Sequence, residues 1–570
     1  MYISQIKIKN YRGFRDFSTS LKKMTVVIGE NDAGKTNFFS AISLPLSANN
    51  IDYNQKRLVV SDINIQCIAD FYKAVINGLS GSKLTSLIPK ISVTIDFSSP
   101  VDEYERQILG RWLYDDNGQE CYRIQYEFKP KDDNDLIIAV SDLLKDIKDS
   151  ESARWFTLPL ELYEYKIVSV NNGKDISFKD LKRVRINTIT AERDDFSESN
   201  TMKSNSLLTK LLVNTLNDRE RNEINQAYVN FFSSIEDTDS FDKIVNSMHD
   251  DDGFKNIESF INKIKCIPNL PNLKNILSNI TLQYGDNFLY QKGLGERNLI
   301  YIFILFAYYR SNEKEHFNLC CIEEPEAHLS VNNLRLASDF IYKSTAQNSS
   351  MLQTIVATHN PAVINKLKLS SVIAFSGDKA ISLSDVSSQL LDYLRKRPNF
   401  DILKLLFANK IILVEGTTEE MLFNCFMIKN QNLNNIEVIS IGQKGYRTFL
   451  DVWLKLNKDN LDKKIGVIRD FDNQTQAREE HNVYGRNNRN VFVTTTDGYT
   501  LENDISSAGN NTALLSKLFG VANTEQAVAE KMISGKAECM LGLCDAMLRD
   551  EDPLEITLPS HIQRIIDDLS

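Results

Sequence analysis

Apolar positions at strand spacing dominate the first part of the chain. Ile3, Ile6 and Ile8 alternate with polar residues, and a second alternating segment covers 91–97. Alternation of this kind favours half-buried strands. The sequence therefore predicts a strand-rich lobe over residues 1–195.

Helical spacing replaces strand spacing in the next region. Apolar residues at intervals of three and four include Leu207, Leu208, Leu211, Leu212 and Leu216. The pattern predicts a helical insertion over residues 196–275. Its apolar faces are too short for a long coiled-coil arm. Dimerisation is the preferred role of the insertion, and packing on its parent domain is the alternative.

Strand and helix patterns resume at 276–385 and complete the first domain. A linker is predicted at 386–400, where a short helical stretch ends at Pro398. A second α/β unit with C-terminal helices is predicted over 401–570, starting with the buried strand at 411–414. The overall fold class is therefore α/β.

Composition narrows the classes of function. The chain has 570 residues, 42% of them apolar, which is enough for several buried cores. The net charge of −10 argues against a uniformly basic nucleic-acid coat, so any DNA site needs a local basic groove or bridging metal ions.

Cysteine usage and hydropathy indicate the compartment. The eight cysteines include no Cys-x2-Cys pair, which is typical of reduced thiols. The longest apolar run, Leu299 to Tyr309, is about half of what a bilayer requires, and the N-terminus lacks a signal-peptide pattern. We expect a soluble cytoplasmic protein without a membrane partner.

A glycine-rich segment follows the apolar strand at 26–28. It reads Gly29-Glu30-Asn31-Asp32-Ala33-Gly34-Lys35-Thr36. Glycines let the backbone wrap closely round a phosphate, and the helix that follows adds the positive end of its dipole. In this motif Lys35 reaches the β- and γ-phosphates and Thr36 offers a hydroxyl to Mg²⁺. We predict an ATP site contacted by Asn31, Gly34, Lys35 and Thr36.

Three later segments occur in the order that completes an ATP site. An apolar strand ends in Glu323 and Glu324, which we assign to metal binding and to the base that polarises the attacking water. A second strand ends at His359, which could contact the γ-phosphate or that water. A turn with Gly293 and Gly295 opens an apolar helix, suited to offering N–H groups to the phosphate of a partner subunit's nucleotide. A solvated acidic turn and a structural histidine are the simpler alternatives for single segments.

Three acidic pairs lie in the second unit, each beside a strand-like segment. They are Glu415 with Glu419, Asp470 with Asp472, and Glu502 with Asp504. On a strand, a spacing of two places both members of a pair on one face. Six carboxylates repel one another unless divalent metal lies among them, and oxygen ligands favour Mg²⁺ or Mn²⁺ over zinc. The pattern predicts a two-metal phosphodiester site, and three unrelated acidic turns are the alternative.

Residues 1–385 resemble the ABC-type ATPase heads of the structural-maintenance and recombination-repair ATPases. The resemblance implies a dimer in which the P-loop of one head and the glycine signature of another sandwich ATP. The opening segment 8–14 is similar to theirs, and the resemblance places Arg12 near the nucleotide. Two departures are Glu323 in place of the usual Asp and a signature without Ser-Gly-Gly.

Val414-Glu415-Gly416 followed by Asp470-x-Asp472 is similar to the Toprim fold of topoisomerases, primases and nucleases. An ATPase head followed by Toprim resembles the overcoming-lysogenisation-defect (OLD) family of nucleases, most closely the nuclease subunits of Gabija anti-phage systems. The resemblance implies metal-dependent DNA cleavage controlled by nucleotide. It also implies a catalytic lysine, assigned to Lys536 with Lys531 as competitor.

The resemblance also implies partners. They are double-stranded DNA, a homodimer or larger homo-oligomer such as a tetramer, and a helicase subunit, with a retron reverse transcriptase as the second possibility. The expected role is bacterial anti-phage defence. The rival interpretation is a DNA-tethering ATPase of the structural-maintenance or recombination type whose Toprim domain does not cleave.

Overall fold

A computed structural model of the chain describes most of the sequence. The described residues are 1–30, 32–48, 57–116, 118–145, 147, 157–171, 173–190, 207–236, 272–278, 280–311, 317–346, 351–367, 369–385, 401–430, 433, 435–442 and 445–570. Asn31, the predicted linker at 386–400 and much of the predicted helical insertion lie outside these ranges.

The strands run through both of the predicted domains. In chain order they are β1 (Ile3–Tyr11), β2 (Phe14–Ser20), β3 (Met24–Gly29), β4 (Ser47–Ala48), β5 (Ile91–Phe97), β6 (Leu113–Asp116), β7 (Gln119–Pro130), β8 (Tyr163–Ser169), β9 (Val184–Ile189), β10 (Gln283–Tyr284), β11 (Asn287–Phe288), β12 (Phe317–Glu323), β13 (Leu352–Ala357), β14 (Val372–Ser376), β15 (Lys379–Ser382), β16 (Lys410–Val414), β17 (Ile436–Ser440), β18 (Lys464–Arg469) and β19 (Val491–Thr495). The alternating segment predicted at 91–97 forms β5.

The helices lie between and after these strands. They are α1 (Lys35–Ser43), α2 (Ile65–Ile76), α3 (Ser82–Thr85), α4 (Glu103–Leu109), α5 (Asp133–Leu143), α6 (Phe178–Leu181), α7 (Leu207–Thr215), α8 (Asp218–Glu236), α9 (Leu273–Leu277), α10 (Leu294–Ser311), α11 (Val331–Ala346), α12 (Pro361–Lys366), α13 (Ile402–Phe407), α14 (Thr417–Lys429), α15 (Tyr446–Asn457), α16 (Thr475–Asn487), α17 (Leu501–Ser507), α18 (Asn511–Phe519), α19 (Glu525–Met547) and α20 (Ser560–Leu569). Within the described ranges, every helix is too short or too polar to cross a membrane.

The fold divides into two compact units. The first contains Met1–Lys7, Leu21–Thr25 and Phe39–Thr358. In it, β7 pairs antiparallel with β5, β6 and β8. A second ladder is parallel and runs β4-β9-β12-β13. From Phe317 to Ile322 every residue of β12 is buried, which explains why all of them except Asn318 are apolar.

The described part of the helical insertion belongs to the first unit. Helices α7 and α8 form where helical spacing predicts them. Helix α7 packs against α9 and α10, two helices that follow α7 and α8 in the chain. Helix α7 therefore packs on α10 of its parent domain, while a role of the insertion in dimerisation stays a prediction.

The second unit contains Ile8–Ser20, Val26–Phe38 and His359–Ser570. Residues of β3 from Val26 pair in parallel with β14, and β14 forms a hairpin with β15. The rings of Phe17, Phe38 and Phe375 pack edge to face at 5.0–5.8 Å between centroids. This aromatic contact fixes the start of α1 against the pair of parallel strands.

A four-stranded parallel sheet completes the second unit. Its strand order is β17-β16-β18-β19. The order reverses between β16 and β18, and ligand sites of open α/β sheets lie beyond the carboxyl ends of strands at such a point. Helices α19 and α20 supply much of the core of this region, including Met540, Leu543 and Ile565. The last two helices are thus an integral part of the second domain.

Candidate functional site

The glycine-rich loop connects β3 to α1 and is tightly packed. A Cβ added at Gly29 would lie 2.8 Å from the Cβ of Ala33, and one at Gly34 would lie 2.8 Å from the ring of Phe14. Gly34 also has a φ of 86°, a conformation that favours glycine. These contacts explain why both positions are glycine.

The lysine of the loop is turned back onto the loop's own backbone. Lys35 Nζ donates to the carbonyl oxygens of Gly29 at 2.9 Å and Glu30 at 2.8 Å. The hydroxyl-bearing residue Thr36 is exposed at the start of α1. An ammonium, an exposed hydroxyl and a helix N-terminus are suited to a nucleotide phosphate and its metal ion.

Arg12 lies beside this loop. It occupies the turn between β1 and β2 with a φ of 48°, and its Nη1 donates to Oδ1 of Asn37 at 3.0 Å. The contact places the guanidinium at the first turn of α1, as expected for a residue near a phosphate loop. Contact with nucleotide stays a prediction.

The acidic turn at the end of β12 belongs to the first unit. Glu323 is half-buried and Glu324 is exposed. The N–H of Glu324 donates to the carbonyl of Ala357 at 2.8 Å, and Thr358 Oγ1 donates to Glu326 Oε1 at 2.7 Å. Glu324 has a φ of 44°, a sparsely populated conformation that often marks functional residues. The assignment of Glu323 to metal binding and of Glu324 to the base that polarises water stays a prediction.

The glycine signature at the start of α10 also lies in the first unit. A Cβ added at Gly295 would lie 2.2 Å from the backbone oxygen of His328, whereas one at Gly293 would meet nothing within 4 Å. Gly295 is therefore required by a contact within its own chain. The prediction that both glycines contact phosphate remains untested. His359 follows β13, is half-buried and belongs to the second unit.

The carboxyl ends of β16 and β18 bring two of the predicted acids together. The strands are parallel neighbours with Leu413 opposite Val467, so Glu415 and Asp470 leave the sheet side by side. The N–H of Asp470 donates to Oε1 of Glu415 at 3.4 Å, and Asp470 Oδ1 accepts from the N–H of Leu501 at 3.0 Å.

Burial and mutual repulsion make this cluster electrostatically unusual. The pKa of Glu415 is raised to about 7, mainly by burial and also by the charges of Asp472 and Glu419, against the lowering effect of the Asp470 N–H. Burial also raises the pKa of Asp470 to about 8, helped by Glu415, Glu419 and Glu502. Such an excess of carboxylates fits a divalent cation, which would replace the protons.

The predicted strand-like placement of Glu502 and Asp504 is wrong, whereas their role as metal ligands stays a prediction. They lie on α17, a helix, and not on a strand. Residues two apart on a helix point about 200° apart, so the pair cannot face one ion. The charge of Glu502 raises the pKa of Asp470. Asp504 instead lies beside His561.

Asp504 is held by its own set of donors. Its carboxylate accepts from the N–H groups of Asp497 at 2.8 Å and Gly498 at 2.6 Å. His561 Nδ1 lies 2.9 Å from its Oδ2. Burial alone would raise the pKa of Asp504, but these donors lower it overall. This carboxylate fixes the loop before α17, and metal binding by Asp504 stays a prediction.

Asp472 also departs from the strand pattern. Strand β18 ends at Arg469, so Asp470 and Asp472 lie in the loop beyond it. Asp472 has a φ of 48°, and its N–H donates to the carbonyl of Tyr499 at 3.2 Å. Among the described residues, no three His, Cys, Asp or Glu side chains are grouped closely enough to form a complete metal site. The carboxylates interact electrostatically without forming a finished coordination shell.

Comparison with known proteins identifies both regions. The family described as AAA ATPase domain matches residues 1–364. The chain belongs to this ATPase family. The family described as overcoming lysogenization defect protein-like, TOPRIM domain matches residues 406–472. The predicted α/β ATPase followed by an OLD-like Toprim domain is thereby confirmed.

Individual relatives are consistent with this pairing. Endonuclease GajA of Bacillus cereus (strain HuB5-5) is 23% identical over 559 residues, covering 85% of this chain and 78% of the relative. The DNA replication and repair protein RecF of Bacillus cytotoxicus is 51% identical over 43 residues, 7% of this chain and 12% of the relative.

Solved structures of SMC heads are also similar to the chain. One is an SMC head bound to the C-terminal winged-helix domain of ScpA, with 14% identity, a TM-score of 0.31, and coverage of 68% of this chain and 99% of that chain. Another is the SMC head domain from Thermotoga maritima, with 14% identity, a TM-score of 0.28, and coverage of 67% and 97%.

The Toprim domain contains polar residues that the sequence analysis missed. Arg469 is buried beside the acidic cluster, where its Nε donates to the carbonyl of Asp470 at 3.1 Å and its Nη1 lies 3.3 Å from His481 Nδ1. The hydroxyl of Tyr446 donates to the carbonyl of Ile468. Burial and the charge of Arg469 lower the pKa of His481. The cluster therefore has a cation that the sequence analysis did not count, although Arg469 directly precedes Asp470.

Lys536 interrupts a helix of the second unit. It has a φ of 29° and a ψ of −105° inside α19, whereas Lys531 lies in the regular part of that helix. Both lysines are exposed. A strained backbone at Lys536 favours it over Lys531 as the residue with a function.

Proposed function

We propose that this protein is a nucleotide-regulated, divalent-metal-dependent DNA endonuclease. The pairing of Glu415 and Asp470 at the strand-order reversal, with raised pKa values in both, is the observation that carries the proposal. The similarity to a relative named Endonuclease GajA supports the same activity.

The metal would be held by the acids whose charges raise the pKa values of Glu415 and Asp470, together with these two residues. They are Glu415, Glu419, Asp470, Asp472 and Glu502. Mg²⁺ or Mn²⁺ in a two-metal site supplies a nucleophilic hydroxide and stabilises the leaving oxygen of the phosphodiester. Gly416 leaves room for this set, because a Cβ there would lie 3.0 Å from Glu419 Oε2. The Lys536 ammonium would neutralise charge on the scissile phosphate.

The ATP-binding part would act as the regulator. Gly34, Lys35 and Thr36 would hold the phosphates together with Arg12 and Asn31. Glu323 would bind the metal ion and Glu324 would polarise the attacking water. His359 would contact the γ-phosphate. Gly293 and Gly295 would meet the nucleotide of a second subunit, which makes the protein a homodimer or larger oligomer. Regulation requires that nucleotide bind the cutting and non-cutting states with different affinity.

The proposed biological role is defence of a bacterial cell against phage. Double-stranded DNA is the substrate in this proposal, and a helicase subunit is the proposed partner. Both are what the resemblance to Gabija nuclease subunits implies. The cytoplasm is the proposed location, since phage DNA replicates there.

The decisive experiment compares purified protein with Glu415→Ala on supercoiled and linear DNA, with Mg²⁺ or Mn²⁺, across ATP concentrations. Cutting that requires metal and is lost in Glu415→Ala would support the nuclease. Glu530→Ala is the matched control, because Glu530 is an exposed carboxylate of the same domain that accepts a bond from Gln526 at 2.9 Å. No cutting by the wild-type protein under any condition would favour the DNA-tethering ATPase instead.

A further inference from the structure

A buried lysine of the Toprim domain contacts the phosphate loop. Lys463 Nζ lies 2.7 Å from Oε1 of Glu30 and donates to the carbonyl of Phe407 at 2.8 Å. The Lys463 side chain is 7% exposed and that of Glu30 is 50% exposed. Both residues belong to the second unit, although 433 positions separate them in sequence.

Lys463 lies where two strands of the Toprim sheet begin. It directly precedes β18, and Phe407 ends α13 just before β16. The N–H of Lys464 donates to the carbonyl of Asn409 at 2.8 Å, which joins the starts of the two strands. The opposite ends carry Glu415 and Asp470, about 20 Å away at the usual rise per strand residue.

Glu30 is held by two lysines at once. Its carbonyl oxygen accepts from Lys35 Nζ at 2.8 Å, and its carboxylate pairs with Lys463. A phosphate that attracts Lys35 competes with the Glu30 carbonyl for the same ammonium. The position of Glu30 therefore depends on what Lys35 binds.

A buried ammonium follows its partner, because leaving it unpaired in a water-poor site is costly. Movement of Glu30 is thus transmitted to Lys463 and to the starts of β16 and β18. We propose that Glu30 and Lys463 are positioning residues that couple the state of the phosphate loop to the placement of Glu415 and Asp470. The inference rests on the proposed function, because it names the path by which nucleotide would regulate the Toprim site.

The same unit offers a matched control pair. Lys379 Nζ lies 3.1 Å from Oδ2 of Asp459, with side chains 61% and 78% exposed. This pair also joins the ATPase part to the Toprim part, but it contacts neither the phosphate loop nor the starts of β16 and β18. Exposed ion pairs contribute little, so its loss should leave coupling intact.

The test is backbone hydrogen exchange over 410–415 and 464–470, with and without ATP at a fixed Mg²⁺ concentration. Binding of mant-ATP is measured in parallel. In the wild type and Lys379→Met, ATP is expected to change exchange in both segments by about fivefold, the scale of typical coupling between sites. In Lys463→Met and Glu30→Gln, the change should vanish while mant-ATP still binds.

Several outcomes would overturn the inference. Wild-type exchange that does not respond to ATP would do so, as would a full response in Lys463→Met or Glu30→Gln. Loss of mant-ATP binding in Glu30→Gln would also overturn it, because Glu30 would then be a nucleotide contact. If Lys463→Met fails to fold, Glu30→Gln decides alone, since Glu30 is half exposed.

DNA cutting is assayed separately, so the two proposals can fail independently. A wild-type protein that never cuts, but whose strands respond to ATP through Lys463, would refute the nuclease and retain the coupling. A protein that cuts DNA without any response of these strands to ATP would refute the coupling and retain the nuclease.

Discussion

His561 Nδ1 lies 2.9 Å from Oδ2 of Asp504, and both side chains are buried. The contact ties α20 to α17, and the same Asp504 carboxylate accepts from the N–H groups of Asp497 and Gly498 in the loop before α17. Asp504 therefore holds neighbouring parts of the fold in place. The charge of Glu502, on the other face of α17, raises the pKa of Asp470.

Asp504→Ala should therefore act on stability. Asp504→Ala leaves the N–H groups of Asp497 and Gly498 without their acceptor. Such a loss costs about 1–3 kcal/mol, so unfolding should occur at lower urea concentration in chelator. Because the pKa of Asp504 is lowered, its stabilisation is present above pH ~4 and is lost as pH falls through the folded-state value. Glu502→Gln is the control, expected to leave stability equal or higher. An Asp504→Ala protein of wild-type stability that has lost metal binding would contradict this role.

Asp470→Asn should stabilise the metal-free protein at high pH. The pKa of Asp470 is raised to about 8, so the folded state holds a proton that the unfolded state releases. Wild-type stability in chelator should fall as pH rises from ~4, the unfolded-state value, to 8. Asp470→Asn should remove on the order of 2 kcal/mol of that fall, as thermal unfolding at several pH values would show. An identical pH dependence in wild type and Asp470→Asn, with Glu530→Gln as control, would refute this.

DNA cutting should increase with pH through the range in which Glu415 and Asp470 lose their protons. Metal ligands must be deprotonated, so metal competes with protons and a higher Mg²⁺ concentration should move the midpoint to lower pH. Initial rates between pH 6 and 9 at two Mg²⁺ concentrations measure this. A midpoint independent of Mg²⁺ would show that other groups control the profile.

Gly295→Ala should disturb the start of α10, whereas Gly293→Ala should not. An added methyl at Gly295 would lie 2.2 Å from the backbone oxygen of His328, and backbone atoms cannot easily move away. We expect a loss of about 1–3 kcal/mol, measured by chemical unfolding. At Gly293 the same methyl meets nothing within 4 Å, so this variant is the control. Equal stability of both variants would be inconsistent with the packing of this turn.

Lys536→Ala should slow DNA cutting by about 10²–10³-fold, the usual effect of removing one charged or donor group from a phosphodiester transition state. Metal binding by calorimetry should be retained. Lys531→Ala should cut at nearly the wild-type rate, because Lys531 lies in the regular part of the helix. The reverse result would transfer the role to Lys531.

Local patterns predict much of this structure. Strand β5 forms where alternation predicts it, because a half-buried strand leaves a period of two in the sequence. Both families are recognisable from short motifs, because phosphate loops and strand-end acids need fixed residue types at fixed spacing.

The segment Leu501–Ser507 shows where spacing misleads. Two acids two apart suggest a strand, but Thr500 with Asn503 forms a capping box that begins a helix. Thr500 followed by acids in the first turn is itself a helix-start signal, so the sequence does contain the information that a helix begins here. The contacts of Asp504 with His561 and of Glu30 with Lys463 had no such signal, because they join residues far apart in sequence.

The packing of α20 on β18 has a consequence for synthesis of the chain. A Cβ at Gly466 would lie 2.7 Å from Ile565, and Lys464 Nζ donates to the carbonyl of Asp568 at 3.0 Å. After β18 has been synthesised, about a hundred more residues must be added before α20, which covers it, is complete. This takes roughly 5–20 s of translation. The acidic site beyond β18 is assembled late, so a nascent chain on the ribosome carries the phosphate loop well before it carries the proposed cutting site.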